Sequence, residues 1–188
     1  MKITGGEAKG VRLKALYGVR PTSGKVREAI FSSLENLAPD WSKVLDLYAG
    51  TGALGIEALS RGSGSSDFVE ISGKMCDIIR ENLVRAGFEK RGKILRMRVE
   101  KAISELPQSY GIIFLDPPYK EDIKPVLEKL FSSKVVNERT VVVVEHSKRK
   151  NLPDRFGEFV RVRALEHGDT VVSIYKKEVK IEQGALSG

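Results

Sequence analysis

Cysteine is almost absent from this sequence, since Cys76 is the single one among 188 residues. A lone thiol cannot form a disulfide within the chain, and at its position on an expected helix we interpret it as a packing residue. His146 and His167 have no further His or Cys at ligand spacing, so we expect no metal site. The longest apolar runs, 112–115 and 141–144, are far too short to cross a bilayer, and no signal-peptide stretch opens the sequence. We therefore expect a cytoplasmic protein rather than a secreted or membrane-spanning one.

Positively charged residues outnumber negatively charged ones in this sequence. Thirty-two Lys and Arg residues face 25 Asp and Glu residues, which gives a formal net charge of +7. Such an excess suits a polyanionic partner such as nucleic acid, although basic enzymes without one are common. Basic residues cluster in three places: the N-terminal segment, residues 90–98 and residues 148–150. The N-terminal cluster is our candidate for phosphate contacts, and we interpret the other two as solvated faces. Its candidate residues are Lys9, Arg12 and Lys14.

The hydrophobic pattern predicts an α/β domain with a mostly parallel sheet. Residues 1–22 are predicted to form a basic N-terminal hairpin extension, 23–177 the domain and 178–188 a flexible tail. An amphipathic helix is expected over 24–38, and strands and helices then alternate, which indicates a sheet covered on both faces. Residues 159–165 and 170–175 are separated by four residues, too few for a crossover, and should form an antiparallel hairpin. The five preceding strands are expected at 43–48, 67–71, 93–99, 110–116 and 139–145.

A glycine-rich loop follows the first strand. Gly50, Gly52 and Gly55 match G-x-G-x-x-G between a strand and a helix, where glycine permits a tight turn and close approach of a ligand to the helix N-terminus. We expect Tyr48, Gly50 and Gly52 to contact a ligand that contains a nucleoside. The alternative is a turn that needs glycine only for its own geometry.

Two carboxylates near this loop bear on the identity of the ligand. Glu70 closes the second strand, where related folds bind ribose hydroxyls, and this suits NAD and S-adenosylmethionine equally; the adjacent Ile71 is a further candidate contact. Asp46 ends the first strand, where a carboxylate repels a pyrophosphate but attracts the ammonium group of a methionine moiety. The sequence therefore favours S-adenosylmethionine over NAD. The alternative role for Asp46 is to cap the turn.

The tetrapeptide Asp116-Pro117-Pro118-Tyr119 stands at the end of the fourth strand, where open α/β sheets bind ligands. The exocyclic amine of a nucleobase is a poor nucleophile because its lone pair is delocalised into the ring. The Asp116 carboxylate and the Pro117 carbonyl could hold its N–H bonds and aim the lone pair at a methyl group, while Pro118 adds rigidity without a competing donor. Tyr119 offers a ring on which a flipped base can stack. The alternative is a strand terminus followed by a Tyr at the edge of the core.

With these motifs, the sequence resembles the bacterial 16S ribosomal RNA guanine-N2 methyltransferases of the RsmD family over about residues 1–177. The resemblance implies a class I S-adenosylmethionine-dependent fold with seven strands, the last antiparallel, and methylation of one guanine N2 in 16S ribosomal RNA within an assembling small subunit. It also places Arg20 and Thr22 beside the active site and the basic hairpin on the RNA. The segments that carry it are 3–6, 20–22 with 26–31, 45–62, 68–70, 116–119 and 168–170.

One position departs from the pattern of that family. After the third strand the family has Asp or Asn before an Ala, where it contacts the adenine amine of the cofactor, but here Lys101 precedes Ala102. Glu100 is our candidate replacement, and the backbone of Ala102 is the alternative.

Three other functions remain open. An adenine-N6 methyltransferase could use the same tetrapeptide, although no segment is long enough for the target-recognition domain usual in DNA enzymes. A non-catalytic RNA-assembly factor would have no use for the intact Asp116 motif. An NAD oxidoreductase would need an acid or base for hydride chemistry, and none is evident.

Overall fold

The computed structural model describes residues 1–18 and 22–180, and these contain five helices and eight strands. The helices are α1 (Gly24–Leu37), α2 (Ala53–Ser60), α3 (Gly73–Ala86), α4 (Val99–Glu105) and α5 (Lys124–Phe131). The strands are β1 (Lys43–Leu47), β2 (Ser65–Val69), β3 (Gly92–Leu95), β4 (Ile112–Leu115), β5 (Val141–Ser147), β6 (Arg155–Phe156), β7 (Phe159–His167) and β8 (Thr170–Lys177). No helix within the described ranges is long and apolar enough to cross a membrane.

The strands form one sheet in the order β3-β2-β1-β4-β5-β8-β7-β6. Strands β1 to β5 pair in parallel, and β8 lies antiparallel between β5 and β7. The mostly parallel sheet with a C-terminal antiparallel hairpin is thereby confirmed. The sheet has one strand more than the seven expected, because the two-residue β6 pairs with the outer edge of β7. So short a strand leaves no alternation to detect in a sequence.

The central strands are buried on both faces, which explains their continuous apolar runs. In β1, Val44 packs on the side of α1 and α2, whereas Leu45 packs on the side of α4 and α5. Ile112 and Ile113 of β4 alternate in the same way. Successive side chains of a strand point to opposite faces, so helices on both sides are needed to bury them.

Helix ends follow the sequence signals closely, but the bounds of several strands differ from those expected; the second strand, expected over 67–71, is Ser65–Val69. The Ser23 and Ser72 side chains accept hydrogen bonds from the backbone as N-caps of α1 and α3, and Gly87 ends α3 in a left-handed conformation. The third strand, expected over 93–99, ends at Leu95 instead. Val99 is the first residue of α4 and packs into the core from that helix. Its apolar side chain therefore belongs to the buried face of a helix and does not continue the strand.

A buried carboxylate of α2 holds the N-terminal segment. Glu57 is 1% exposed and accepts hydrogen bonds from the backbone N–H groups of Thr4 and Gly5, at 3.0 and 2.9 Å. Gly6 has φ 77°, and a Cβ there would lie 1.8 Å from the carbonyl oxygen of Ser60. These contacts explain why a Thr-Gly-Gly sequence occurs here: the chain must pass close against α2.

The same carboxylate is paired with a buried arginine of α1. Arg27 is 2% exposed, and its Nε lies 3.7 Å from Glu57 Oε2. Its two terminal nitrogens donate to the carbonyl oxygens of Lys2 and Thr22, at 2.6 and 2.9 Å. The ion pair therefore joins the N-terminal segment to the start of α1.

The N-terminal hairpin is short and is attached at its far end as well. A single antiparallel bridge pairs Lys2 with Arg12. The buried Asn82 of α3 donates from Nδ2 to the carbonyl oxygens of Lys14 and Thr51, and its Oδ1 accepts the N–H of Lys14. The hairpin is thus connected to the glycine-rich loop through one amide side chain.

We predict that Glu57→Ala lowers the free energy of unfolding by about 3–5 kcal/mol, because it leaves the buried Arg27 guanidinium without its charge partner. Equilibrium urea unfolding measures this loss. Glu35 also pairs with Arg61, as Glu57 does, but Glu35 is exposed. The control Glu35→Ala should therefore cost less than about 0.5 kcal/mol, and equal losses in the two variants would contradict the assignment.

Candidate active site

Four polar residues lie side by side at the carboxyl ends of the parallel strands. Leu47 of β1 is in register with Val69 and Leu115, and Leu115 is in register with Val144. The residue that follows each of these four positions belongs to the next row of the sheet. That row contains Tyr48, Glu70, Asp116 and Glu145. It lies at the point where the connections from β1 and β4 lead to opposite sides of the sheet, which is where open α/β sheets bind ligands.

A cavity of about 630 Å³ opens at this edge of the sheet. Loops after β1, β2, β3 and β4 line it, and the residue before the N-cap of α1 closes one side. Most of the site residues expected from the sequence line this cavity. They are Thr22, Asp46, Tyr48, Gly50, Glu70, Ile71, Glu100, Asp116, Pro117, Pro118 and Tyr119.

The glycine-rich loop is held by hydrogen bonds to acidic side chains. The N–H of Gly50 donates to Glu70 Oε2 at 2.9 Å. Tyr48 has φ 57°, the one positive value among described residues other than glycine, and its hydroxyl donates to Glu121 Oε1 at 2.5 Å. Burial and the adjacent Glu121 carboxylate raise the pKa of Tyr48, so the hydroxyl remains a donor. A non-glycine residue in this conformation is strained and typical of a functional site.

Gly52 does not line the cavity, contrary to the sequence-based expectation. It is the N-cap of α2 with φ 79°, and a Cβ there would come within 3.2–3.3 Å of the side chains of Ile79, Ile56 and Phe68. Its conformation and its close packing require glycine. The geometric alternative therefore explains Gly52, whereas Gly50 faces the cavity.

Ala102 is likewise outside the cavity. It is 0% exposed, and its N–H donates to the carbonyl oxygen of Arg98 within the first turn of α4. The helix therefore already uses this N–H, and a contact between the Ala102 backbone and a cofactor stays a prediction. Glu100, two residues earlier, is exposed and lines the cavity together with Arg98.

Asp46 caps a helix as well as lining the cavity. It is 1% exposed, and its Oδ2 accepts the N–H of Gly55 in the first turn of α2 at 2.9 Å. Burial raises the pKa of Asp46 well above its ordinary value; the Gly55 hydrogen bond opposes this, and the Asp116 and Glu70 carboxylates add to it. The capping role, considered as the alternative, is therefore present in the structure beside the cavity-lining position.

The Asp116 carboxylate shares a hydroxyl group with a second acid. Thr22 Oγ1 lies 3.3 Å from Asp116 Oδ2 and 2.9 Å from Glu145 Oε2. Burial and the nearby Glu145 charge raise the pKa of Asp116 to about 7, although the Thr22 hydrogen bond acts in the opposite direction. Glu145 was not identified from the sequence. Its one signal was a carboxylate at the end of an otherwise apolar strand, Val141–Val144.

Tyr119 stands at the mouth of the cavity. Its side chain is 49% exposed, and its hydroxyl forms a 2.9 Å hydrogen bond with Thr170 Oγ1 at the start of β8. A smaller recess of about 100 Å³ adjoins the cavity here and is lined in part by Thr22, Tyr119, Glu145 and Thr170. The terminal hairpin thus holds the ring through its hydroxyl group, while about half of the residue stays exposed.

The cavity is acidic although the protein is basic. Within the described ranges, six lining residues carry carboxyl groups and Arg98 is the one basic residue among them. An anionic pyrophosphate would be repelled by this set of charges, whereas a cation or a donor-rich group would be attracted. The six acids are Asp46, Glu70, Glu100, Asp116, Glu121 and Glu145.

The basic candidates lie outside the cavity. Lys9, Arg12 and Lys14 are exposed on the N-terminal hairpin, and Lys14 Nζ forms a 2.7 Å ion pair with Glu81. Of the two residues expected beside the active site from the resemblance, Thr22 contacts Asp116, and Arg20 lies outside the described residues.

Comparison with known proteins defines the class and then the family. The sheet order, with an antiparallel last pair of strands, and the cavity at its carboxyl edge are those of class I S-adenosylmethionine-dependent methyltransferases. A solved structure described as "Putative methyltransferase yhhF from Escherichia coli" superposes with a TM-score of 0.85 over 96% of this chain and 99% of its own. At 23% identity this likeness concerns the fold alone.

The family profile described as "Conserved hypothetical protein 95" matches residues 1–176, and the chain belongs to this family, the RsmD-family methyltransferases. "Putative rRNA methyltransferase YlbH" of Bacillus subtilis is 37% identical over 183 residues, which cover 94% of this chain and 99% of that protein. "Ribosomal RNA small subunit methyltransferase D" of Escherichia coli is 26% identical over 190 residues, covering 98% and 94%.

We predict that the free energy of unfolding of the Asp116→Asn variant increases relative to that of the wild type as the pH rises. The native carboxyl holds its proton up to about pH 7, whereas in the unfolded chain it ionises near its ordinary value, so wild-type stability falls between these limits. Asn cannot ionise and escapes this loss. Urea unfolding at about pH 5 and about pH 8 measures the difference, which should be larger at the higher pH and constant above it. A pH-independent difference would contradict the raised pKa.

Proposed function

We propose that this protein transfers a methyl group from S-adenosylmethionine to the exocyclic N2 amine of one guanine in 16S ribosomal RNA, within an assembling small ribosomal subunit. The observation that carries the proposal is the position of Asp116-Pro117: the carboxylate and the following carbonyl stand at the switch point of the sheet, in the wall of the cavity that the glycine-rich loop also lines. Relatives named as small-subunit ribosomal RNA methyltransferases support the choice of substrate.

The donor set of the cavity fits S-adenosylmethionine. Glu70 is oriented by the N–H groups of Gly50 and Ser72, each at 2.9 Å, and it retains acceptor capacity for ribose hydroxyls. Asp46 attracts the ammonium group at the other end of the glycine-rich loop. When bound, the cofactor supplies an electrophilic methyl group on a sulfonium, and this positive charge suits the acidic lining.

The adenine ring would be held by apolar side chains on both sides of the cavity. Ile71 is a large exposed hydrophobic residue on the β2 side, and Met97 and Val99 lie on the β3 side. Glu100 is the acceptor nearest in sequence to these two and could receive an adenine N–H. Met97 and Val99 were not identified from the sequence, because 93–99 was expected to continue as a strand.

The protein performs the transfer by positioning. The Asp116 carboxylate and the Pro117 carbonyl accept the two N–H bonds of the flipped guanine amine and turn its lone pair towards the methyl group. A pKa of about 7 lets Asp116 take the proton that the methylated nitrogen releases. Tyr119, held by Thr170, stacks on the base. No covalent intermediate with the protein is needed.

We predict that Asp116→Ala lowers the rate of methyl transfer by about 10³-fold or more while the Kd for S-adenosylmethionine changes less than tenfold. The assay incubates assembling small subunits with labelled cofactor and maps the modified nucleotide by mass spectrometry. Asp122→Ala is the matched control, because Asp122 lies in the same loop, is exposed and does not line the cavity.

Label found only as N6-methyladenine would refute guanine-N2 transfer and favour the adenine-N6 alternative. Unchanged turnover of Asp116→Ala would refute its role, and cofactor binding without any transfer by the wild type would favour the RNA-assembly factor.

We predict that the combined change of Lys9, Arg12 and Lys14 to Glu weakens RNA binding and lowers its dependence on salt concentration. The slope of the logarithm of the binding constant against the logarithm of the salt concentration should decrease by on the order of one unit for each phosphate that the protein no longer neutralises. Binding is measured over a series of salt concentrations. Lys14 should contribute least because Glu81 already neutralises it. Changing the exposed Lys90, Lys93 and Arg96 to Glu is the charge-matched control. An unaltered slope in the first variant would place the RNA surface elsewhere.

A further inference from the structure

Glu145 is an acid beside the reacting position to which the proposed transfer gives no role. It belongs to β5 and lies in the same row of the sheet as Asp116, which follows β4. Side chains in one row of neighbouring strands point to the same face, so the two carboxylates lie next to each other. Both also line the main cavity, and Glu145 extends into the smaller recess that adjoins it.

The distance between the two acids is set by Thr22. Its Oγ1 is 2.9 Å from Glu145 Oε2 and 3.3 Å from Asp116 Oδ2, so one hydroxyl group bridges them. Arg27 donates to the Thr22 carbonyl at 2.9 Å and thereby fixes this residue from the side of the buried Glu57 pair. The structure therefore places two acceptors next to each other, joined by one hydroxyl group.

Two adjacent acceptors match the edge of one nucleobase. Guanine presents the N2 amine and the N1–H next to each other, and both are donors. Adenine has its amine at C6 and an acceptor at N1, which would face a carboxylate lone pair to lone pair. Leaving a buried acceptor without a hydrogen-bond donor costs binding free energy. A site whose acceptors match the donors of one base therefore rejects a base that lacks one of those donors.

We propose that Glu145 determines the choice of base, by accepting the N1–H of the flipped guanine while Asp116 accepts its N2 amine. This inference rests on the proposed function, since it assigns the base specificity of that same site. Thr22 acts as a positioning residue that keeps the two acceptors at the spacing of the two donors. Tyr119, which lines both the cavity and the recess, places the ring between them.

The test replaces the target guanine with 2-aminopurine. This base keeps the N2 amine but has an unprotonated N1, so it can receive a methyl group but cannot donate to Glu145. The wild type should methylate guanine with a kcat/KM about tenfold or more above that for 2-aminopurine at the mapped position in assembled subunits. In Glu145→Gln the side-chain amide can donate to N1, and the ratio should fall about tenfold or more towards unity.

Two further variants separate recognition of the base from general damage. Glu145→Asp keeps an acceptor and should retain the preference for guanine with a lower kcat/KM. Glu166→Gln makes the same chemical change at an exposed residue paired with Lys148 and should leave the ratio unchanged. The Kd for S-adenosylmethionine reports whether each variant is folded, and it should stay within about twofold of the wild type, a margin worth less than one kcal/mol.

The outcomes distinguish this inference from the proposed function. If the wild type forms N2-methylguanine and Glu145→Gln keeps the wild-type ratio, the role of Glu145 is refuted and the guanine-N2 transfer stands. If the wild type forms N6-methyladenine, both are refuted. A ratio that falls in Glu145→Gln but not in Glu145→Asp or Glu166→Gln establishes the assignment.

Discussion

Parallel pairing of β4 with β1 on one side and β5 on the other sets the geometry of the site. The register of these strands places Tyr48, Glu70, Asp116 and Glu145 in one row at the carboxyl edge of the sheet. Each of these residues lies on or directly after a different strand, so none of their separations is fixed locally. A register shift of one residue in any pair would send that side chain to the opposite face, into the apolar core. The cavity, its charge and the contact between the two acids all depend on this register.

The grouping of so many acids is balanced by hydrogen-bond donors from the surrounding backbone and from the Thr22 side chain. Asp46 receives the N–H of Gly55, and Glu70 receives those of Gly50 and Ser72. Asp116 and Glu145 share the hydroxyl of Thr22. Burial first, and then repulsion from the nearby Glu145 carboxylate, raise the pKa of Asp116. Under the proposed function, a cation and a donor-rich base edge would offset this electrostatic cost on entering the cavity.

The N-terminal segment is part of this arrangement although it lies far away in sequence. Glu57 holds Thr4 and Gly5, and Arg27 connects that pair to the carbonyl of Thr22. The segment that carries the basic residues and the residue that bridges the two acids are therefore fixed by one buried ion pair. The Thr-Gly-Gly sequence and Arg27 are distant in the sequence, but both contact the Glu57 carboxylate.

Local signals were sufficient for much of the fold and for the Asp116 motif, because helix caps, strand alternation and a rigid Asp-Pro-Pro turn depend on residues close in sequence. They were insufficient where distant segments meet. Ala102 and Gly52 are packed outside the cavity that the other expected residues line, and the pairing of β5 with β4 brings Glu145 beside Asp116. Sequence spacing fixes which residue ends each strand, but only the pairing of the strands decides which ends become neighbours, since that choice depends on the packing of the whole sheet.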